Sequence, residues 1–294
     1  MLNLFETIKA HPEYFEQLSC KVLLCTQFDC PQQTALQALF SEHNFIVYVL
    51  SGRRILHQPG HTYVMTEGKC FFSKKGGWLS QGEFGANWRV MIFFMPDSYL
   101  QQFLKKYSTS FSPGVAQKGK MPQIIDLDTN ETTTLFFKSM VVYFMQSPSM
   151  PEVLLELKFR ELLFNLLINP GNEDFLFQLH RIADHHKASL SEIMETNYTY
   201  NLSLAEFAKL AHLSLASFKR EFKKVFGTTP GKWLMEKRLD YAGRILSTSS
   251  KSISDVAFES GFQNTTHFTR VFKEKFYISP LHYRQQVFAD AVGI

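Results

Sequence analysis

FKREFKKVFGTTP, Phe218 to Pro230, is followed fifty residues later by FTRVFKEKFYISP, Phe268 to Pro280. Phe218, Arg220, Phe222, Lys223, Phe226 and Pro230 recur as Phe268, Arg270, Phe272, Lys273, Phe276 and Pro280. On a helix that advances about 100° per residue, Phe218, Phe222, Phe226 and Val225 share one face. Lys219, Arg220, Lys223 and Lys224 share another, with Ala216 in the middle of the basic arc. In the copy, Phe268, Val271, Phe272 and Phe276 form the apolar side, while Thr266, Thr269, Arg270 and Lys273 lie opposite. Both segments read as helices with one face to bury and one to present.

What precedes each copy completes a unit. Before the first, SLAEFAKLAHLS offers Ser203 as N-cap, Glu206 for a capping box, an apolar stripe from Leu204 to Ala211, and a break at His212-Leu213 before Ser214 caps the next helix. Before the second, SISDVAFESGFQN offers Ser252 as N-cap, Asp255 three residues on, Gly261 at the break and Asn264 as the new cap. Helix, tight turn and second helix is the helix-turn-helix arrangement, whose second helix enters a DNA major groove. Between the units, PGKWLMEKRLDYAGRILSTS predicts a helix from near Pro230 to about Leu246. At 1.5 Å per residue that rod spans roughly 24 Å. It can hold two reading helices about one DNA turn, roughly 34 Å, apart.

Residues 189–290 resemble the C-terminal DNA-binding domain of AraC/XylS-family transcription regulators. The resemblance is carried by LAEFAKLAHLSLASFKREFKKVFGTTPGKWLMEKRLDYAGRIL and, more diagnostically, by SISDVAFESGFQNTTHFTRVFKEKFYISPLHYR. One departure stands out: Tyr277 occupies a position where the family usually has Gly, as Gly227 does in the first copy. A tyrosine is disfavoured in the left-handed conformation that ends many helices, so this helix is expected to end differently. The wheel and the family pattern together put Ala216, Lys219, Arg220, Thr265, Thr266, Thr269 and Arg270 on base edges. Arg220 is the leading base reader, because a guanidinium can pair twice with guanine. Lys223, Lys224, Lys232, Arg244 and Lys273 are expected on phosphates, where they set affinity and salt sensitivity rather than sequence. The N-termini at Ser203 and Ser252 could meet phosphates through backbone amides.

The front of the chain reads differently. From about Phe45 to Met95, short apolar runs (FIVYVL, RILH, TYVM, CFF, VMIFFM) are broken by turn residues such as Ser51-Gly52, Pro59-Gly60 and Lys75-Gly76-Gly77. That spacing predicts an antiparallel β-barrel or sandwich, with Asp97 as N-cap of a helix through Tyr107. ETTTLFFKSMVVYFM and PEVLLELKFRELLFNLL predict amphipathic helices that stop at Asn169-Pro170-Gly171. The second carries Val153, Leu154, Leu157, Leu163 and Leu167 and is a candidate subunit interface as well as a core element. The fold class is therefore α+β in two domains. In the layout that the resemblance implies, a cupin-like regulatory and dimerisation domain covers 1–171, with the barrel at about 20–125 and helices at about 130–169. A polar, His-rich linker covers 172–188. An all-α domain of two helix-turn-helix units joined by a helix covers 189–294. The family resemblance supports reading the front as a cupin-like domain that binds a small effector or is held by a protein partner.

Composition agrees. Residues 1–188 hold 17 Lys+Arg and 17 Asp+Glu, whereas 189–294 hold 14 and 10, so the net +4 lies in the C-terminal third, the part expected to meet a polyanion. The apolar content of 45% with 20% charged residues describes a globular chain. The first residues lack a basic leader with an apolar stretch, and VMIFFM is too short to cross a bilayer. A cytoplasmic protein at the bacterial nucleoid is the expectation, with no membrane partner. Cys20, Cys25, Cys30 and Cys70 form no CxxC pair and read as reduced thiols.

The residues give an enzymatic or metal reading little to stand on. A metal-dependent cupin needs clustered His and carboxylate, and the candidates His57, His61 and Glu67 are interrupted by Pro59-Gly60. His180, His185 and His186 read as solvated linker residues. No nucleophile triad or phosphate-cradling loop is legible, so no cofactor and no catalytic residue is assigned. Phe45, Val47, Val49, Tyr63, Met65, Phe71, Trp78, Trp88, Met91 and Phe93 line an effector pocket or fill a solid core, with Phe45, Val47, Tyr63, Met65, Trp78 and Trp88 as the leading pocket set. Arg53, Arg54 or Arg89 could anchor an acidic effector. The expected function is a sequence-specific transcriptional regulator, an activator in the commoner family role and otherwise a repressor. A metal-binding cupin-type sensor or enzyme fused to the DNA-binding domain is the remaining alternative. Expected partners are double-stranded DNA, a second copy of the chain, RNA polymerase if it activates, and the effector or regulatory protein.

Overall fold

The computed structural model describes residues 2–30, 36–58, 61–82, 88–107, 109–111, 122–145, 150–183 and 190–292, without the side chains of Cys30 and 287–292. It divides into two compact units, Met1–Lys187 and Ala188–Ile294.

The first unit opens with β1 (Leu2–Asn3) and α1 (Leu4–Ala10), the latter capped by the Asn3 side chain accepting from Glu6 N. Nine strands follow: β2 (Glu16–Cys20), β3 (Leu23–Cys30), β4 (Gln37–Ser41), β5 (Asn44–Ser51), β6 (Arg53–Gln58), β7 (His61–Thr66), β8 (Cys70–Ser73), β9 (Gly76–Gly82) and β10 (Trp88–Met95). Then come α2 (Asp97–Tyr107), β11 (Ile124–Leu127), α3 (Glu131–Met145), α4 (Glu152–Ile168) and α5 (Glu173–Ala183). The strands form two sheets, one in the order β1-β4-β9-β6-β7 and one in the order β11-β8-β5-β10-β3-β2. All pairings are antiparallel except the short β1 with β4.

The six-stranded sheet explains why its central strands lack polar alternation. Successive side chains point to opposite faces. Phe45, Val47, Val49, Val90, Ile92 and Phe94 face the five-stranded sheet and meet Leu56, Met65 and Trp78 there. Ile46, Tyr48, Met91, Phe93 and Met95 face away and are covered by α2, α3, α4 and α5 through Phe103, Phe136, Phe137, Phe159 and Phe175. Tyr48 stacks on Phe137 with centroids 4.0 Å apart, and Phe93 meets Phe159 edge-on at 5.0 Å. A strand buried on both faces reads as a continuous apolar run. FIVYVL and VMIFFM are such runs.

Three sequence expectations change here. The segment taken as a linker from 172 folds from Glu173 to Ala183 as α5, whose Phe175, Leu179 and Ile182 are buried in the helix-side core. Gln101 Nε2 donates to Ile182 O at 3.0 Å, and His180 Nε2 lies 3.1 Å from Phe111 O. His180 is thus a packed residue, while His185 and His186 lie outside the described residues. Met91 and Phe93 face the helices, so they line no inter-sheet pocket. Asp97 is the first residue of α2 rather than a flanking cap, and its carboxylate accepts from Asn44 Nδ2 and from Lys75 Nζ, each at 2.7 Å.

The stop at Asn169-Pro170-Gly171 is a single 3₁₀ turn, Pro170–Asn172. Asn172 bonds Asp128 O and Leu166 O through Nδ2 and accepts from Asp128 N at 2.8 Å, joining the end of α4 to the end of β11.

The second unit is helical: α6 (Leu190–Asn197), α7 (Leu204–Leu210), α8 (Leu215–Phe226), α9 (Pro230–Thr248), α10 (Ile253–Glu259), α11 (Thr265–Phe276) and α12 (Pro280–Val292). No helix among the described residues is long and apolar enough to cross a membrane.

Candidate nucleic-acid interface

The two repeats build the same object. Ser203 and Glu206 form a reciprocal capping box at α7, with Glu206 N donating to Ser203 Oγ at 3.2 Å and Ser203 N to Glu206 Oε2 at 2.6 Å. Ser252 caps α10 through Asp255 N. Ser214 caps α8, and Asn264 caps α11 by accepting from Thr266 N and His267 N. In the turns, Leu213 N donates to Ala208 O and Phe262 N to Ala257 O, both at 2.9 Å, over buried alanines. His212, with φ 54°, and Gly261, with φ 87°, hold the same place. α7 and α10 are offset by 49 residues, whereas α8 and α11 are offset by 50, so the second turn is one residue longer.

A ladder of rings locks each second helix to the helix that follows it. Phe222 and Phe226 lie 6.0 and 5.1 Å from Trp233, and Phe222 meets Phe226 at 4.3 Å. The second copy repeats this with Phe272 and Phe276 at 5.4 and 5.1 Å from Tyr283, and 4.4 Å from each other. With the aromatic face turned inward, the basic face is left in solvent. Ala216, Lys219, Arg220, Lys223 and Lys224 on α8 are exposed, as are Thr265, Thr266, Arg270 and Lys273 on α11, and Thr269 is half-buried. Val225, placed on the apolar face by the wheel, is 56% exposed. It sits at the edge of that face, where the copy carries Lys275.

The two faces differ electrostatically. Arg270 Nη1 pairs with Glu274 Oε1 one turn on, at 2.7 Å, with the side chains 63% and 60% exposed. The matching position in α8 is Lys224. Lys275 turns away to Asp240 Oδ1 and Glu236 O on α9. Of the remaining cations singled out by sequence, Lys232 is exposed in the first turn of α9. Arg244 is exposed on α9 near Tyr198 Oη at 3.4 Å, with its guanidinium 5.6 Å from the Tyr241 ring centre.

Both second helices end the same way. Gly227 has φ 67° and ψ 1°, and Tyr277 has φ 66° and ψ −4°, each donating its N–H back to a lysine carbonyl, Lys223 O and Lys273 O. The different ending expected at Tyr277 is not found; the tyrosine adopts the left-handed conformation. Its side chain is 85% exposed, so little packing offsets the cost. Tyr277→Gly is expected to stabilise the unit by about 1 kcal/mol, read as a higher denaturation midpoint. An unchanged midpoint would mean that the ring recovers this energy elsewhere.

One cluster was not singled out from sequence. Arg238 on α9 donates from Nε to Tyr198 O at 2.7 Å and from Nη2 to Tyr200 O at 2.8 Å. Burial lowers its pKa to about 10, which leaves it charged at neutral pH. Gly261, in the second turn, rests on the same spot: a Cβ there would lie 2.7 Å from Thr199 O and 2.8 Å from Arg238 Nε. Segment 198–200, the linking helix and the second turn are thereby fastened together. In sequence Arg238 is one basic residue among several in MEKRLDYAGR, and its spacing carries no signal of burial.

In the first unit, an inter-sheet cavity of about 310 Å³ is lined by Phe45, Val47, Met65, Trp78 and Trp88 from the sequence-based set, together with Leu56, Arg54 and Ser80. Tyr63 packs against this core without lining the cavity. His57 Nε2 is 3.1 Å from Gln81 Oε1, and Glu67 follows the far end of β7 from His61. Among the described residues no three His, Cys, Asp or Glu gather to hold a metal. Cys20, Cys25 and Cys70 are free, buried thiols, and burial pushes their pKa values up.

Comparison with known proteins gives two family matches. The family described as ExsA N-terminal regulatory domain matches residues 44–177, and a helix-turn-helix domain family matches residues 207–286. The thermoregulatory protein LcrF of Yersinia pestis is 25% identical over 79% of this chain and 85% of its own length. The transcriptional regulator ExsA of Pseudomonas aeruginosa is 26% identical over 81% of this chain and 85% of its own. Among solved structures, ToxT of Vibrio cholerae covers 90% of this chain and 98% of that one, at 14% identity and a TM-score of 0.40.

Proposed function

Because the chain belongs to the AraC/XylS family of transcriptional regulators, matched in both its regulatory and its helix-turn-helix domains, we infer that it is a sequence-specific DNA-binding activator that reads two adjacent major grooves. The observation that carries this reading is the repeated ring ladder, which buries one face of α8 and of α11 and leaves cations on both outer faces. α9 is 19 residues long, roughly 28 Å at 1.5 Å per residue, a spacer suited to reading helices in successive turns of duplex.

In this reading Ala216, Lys219 and Arg220 touch bases in one groove, and Thr265, Thr266, Thr269 and Arg270 in the next. The threonines offer methyls and single hydrogen bonds to thymine and adenine edges. Lys223, Lys224, Lys232, Arg244 and Lys273 hold phosphates. Activation follows the similar VirF of Yersinia enterocolitica, a virulence regulon transcriptional activator, and implies contact with RNA polymerase in the cytoplasm. The test is selection from random duplexes by the purified chain. Two sequence elements about 10 bp apart are expected, and Lys223→Ala should weaken binding to every sequence and lower the salt slope by about one. A single selected element would refute two-groove reading, and an unchanged slope would remove Lys223 from the phosphates.

The front unit receives the signal, from a small effector or a regulatory protein, and supplies the dimer contact. Val153 and Leu157 on α4, and Leu135, Val142 and Met145 on α3, are exposed apolar residues on neighbouring helices. A second copy would cover them. Leu157→Glu is expected to shift sedimentation of the chain toward the monomer; a dimer that survives it must be held elsewhere.

A further inference from the structure

We propose that the cleft between the β2–β3 turn, α2 and α4 binds a small phosphate monoester, with its phosphate among Lys21, Lys106 and Arg160 and a ring-sized body at Tyr107. The cleft shares no lining residue with the inter-sheet cavity, and it stands whether or not the chain reads DNA.

The cleft has a volume of about 190 Å³, somewhat more than the roughly 150 Å³ that takes up benzene. Its floor is closed: Cys20, Leu23 and Phe103 are each at most 4% exposed. Its rim is in solvent, where Lys21, Ser98, Gln102 and Lys106 are exposed. Lys21 and Val22 form the two-residue turn that joins the paired Cys20 and Leu23. Such turns favour Gly, Asn or Asp where φ is positive, yet this one carries a lysine at φ 53°. Val22 beside it is 55% exposed, so that side chain recovers little of the strain through packing. The turn sets Lys21 at the mouth of the cleft.

The polar groups on the wall select the ligand class. Lys21, Lys106 and Arg160 line the cleft together with one carboxylate, Glu156, an excess of two positive charges. Arg160 pairs with Glu156 one turn before it, and Lys21 Nζ lies 3.7 Å from the same carboxylate. Glu152, outside the wall, meets Cys20 Sγ at 3.7 Å. Lys106 makes no ion pair among the described residues; its Nζ stands 5.4 Å from the centre of the Tyr107 ring. Tyr99 Oη is buried beside Arg160 and has no partner in hydrogen-bond geometry among the described residues. Burial pushes its pKa up, so the hydroxyl keeps its proton and can donate. A buried donor left unpaired is costly, and an oxygen delivered to it removes that cost. A phosphate monoester brings a charge near −2 at neutral pH and three strong acceptor oxygens. These suffice for Tyr99 Oη, Lys106 and the guanidinium N–H groups that Glu156 leaves free. A monocarboxylate would neutralise only one of the two charges, and amines are repelled. Tyr107 and Phe103, with ring centres 5.0 Å apart, give a single ring a surface to pack on.

The full-length chain is titrated calorimetrically with phenyl phosphate, phenyl sulfate and inorganic phosphate at about pH 8, above the second phosphate ionisation near 6. Phenyl phosphate is expected to bind with a dissociation constant below about 1 mM. It should bind about tenfold tighter than phenyl sulfate, which has nearly the same shape and one charge fewer. It should bind about threefold or more tighter than inorganic phosphate, which lacks the ring. Lys106→Met and Tyr99→Phe should each weaken phenyl phosphate by about fivefold or more. Lys106 is at the surface and Tyr99→Phe keeps the ring, so either variant decides if the other does not fold. No saturable binding below about 10 mM, or equal affinity for the phosphate and the sulfate ester, overturns the proposal. Affinity unchanged in the variants overturns it as well, and places the anion on the cations of α8 and α11. Inorganic phosphate that binds as tightly as the ester overturns the ring contact at Tyr107. Because these titrations contain no DNA, their failure leaves the DNA-binding reading intact.

Discussion

Gly261→Ala is expected to cost the helical unit about 2–4 kcal/mol of stability. An L-residue in the left-handed region pays roughly 1–2 kcal/mol, but that alone does not forbid a side chain. His212 carries one at the matching place in the first turn, with φ 54° and its ring exposed. The difference is crowding. At Gly261 the added methyl would sit 2.7 Å from the Thr199 carbonyl oxygen, and backbone cannot step aside as a flexible side-chain tip can. Relief requires moving segment 198–200, which Arg238 holds by two hydrogen bonds from a charged group, each worth about 1.5–3 kcal/mol. Denaturant unfolding of the full chain measures the effect. A loss below about 0.5 kcal/mol, the scale of an ordinary surface substitution, would mean that the loop yields freely and that the fastening is not tight.

Arg220→Ala should weaken binding to a selected operator by about 1–3 kcal/mol, or roughly 5- to 150-fold, and relax preference at one base pair. Arg220 is exposed on α8 and makes no ion pair among the described residues. Arg270, its counterpart, is paired with Glu274 and must leave or share that partner to reach a base. So exposed a pair is worth at most about 1 kcal/mol, which is enough to rank the two arginines and too little to silence the second. Titrating the variant against the operator and its three alternatives at each base pair separates the roles. Equal losses on operator and random DNA would make Arg220 a phosphate clamp.

The helix-turn-helix units were legible because three independent local signals coincide in each copy: the cap residue, the buried alanine and rings spaced one turn apart. Caps at Ser203, Ser214, Ser252 and Asn264 act through their own backbone neighbours, so sequence states them directly. Other features depend on what folds against them. EDFLFQLHRIA carries Phe175, Leu179 and Ile182 at helical spacing, yet the histidines at 180, 185 and 186 gave the stretch the composition of a linker. Arg53 and Arg54 are adjacent in sequence; only the pleat, through the register of β6 with β7 and β9, sends one to solvent and the other to the cavity wall. Tyr277 shows the reverse case, in which a tertiary lock outweighs a local preference: Phe276 is pinned against Tyr283, and the chain turns left-handed despite its side chain.

In the six-stranded sheet, Val47 borders the cavity while its neighbour Tyr48 lies flat on Phe137 of α3, the helix that also carries outward-facing Leu135 and Val142. A single peptide bond separates the chamber wall from the seat of that helix. The positions that shape the chamber and those that seat the helix are thus consecutive along one strand, so a substitution at either one is felt on both sides of the sheet.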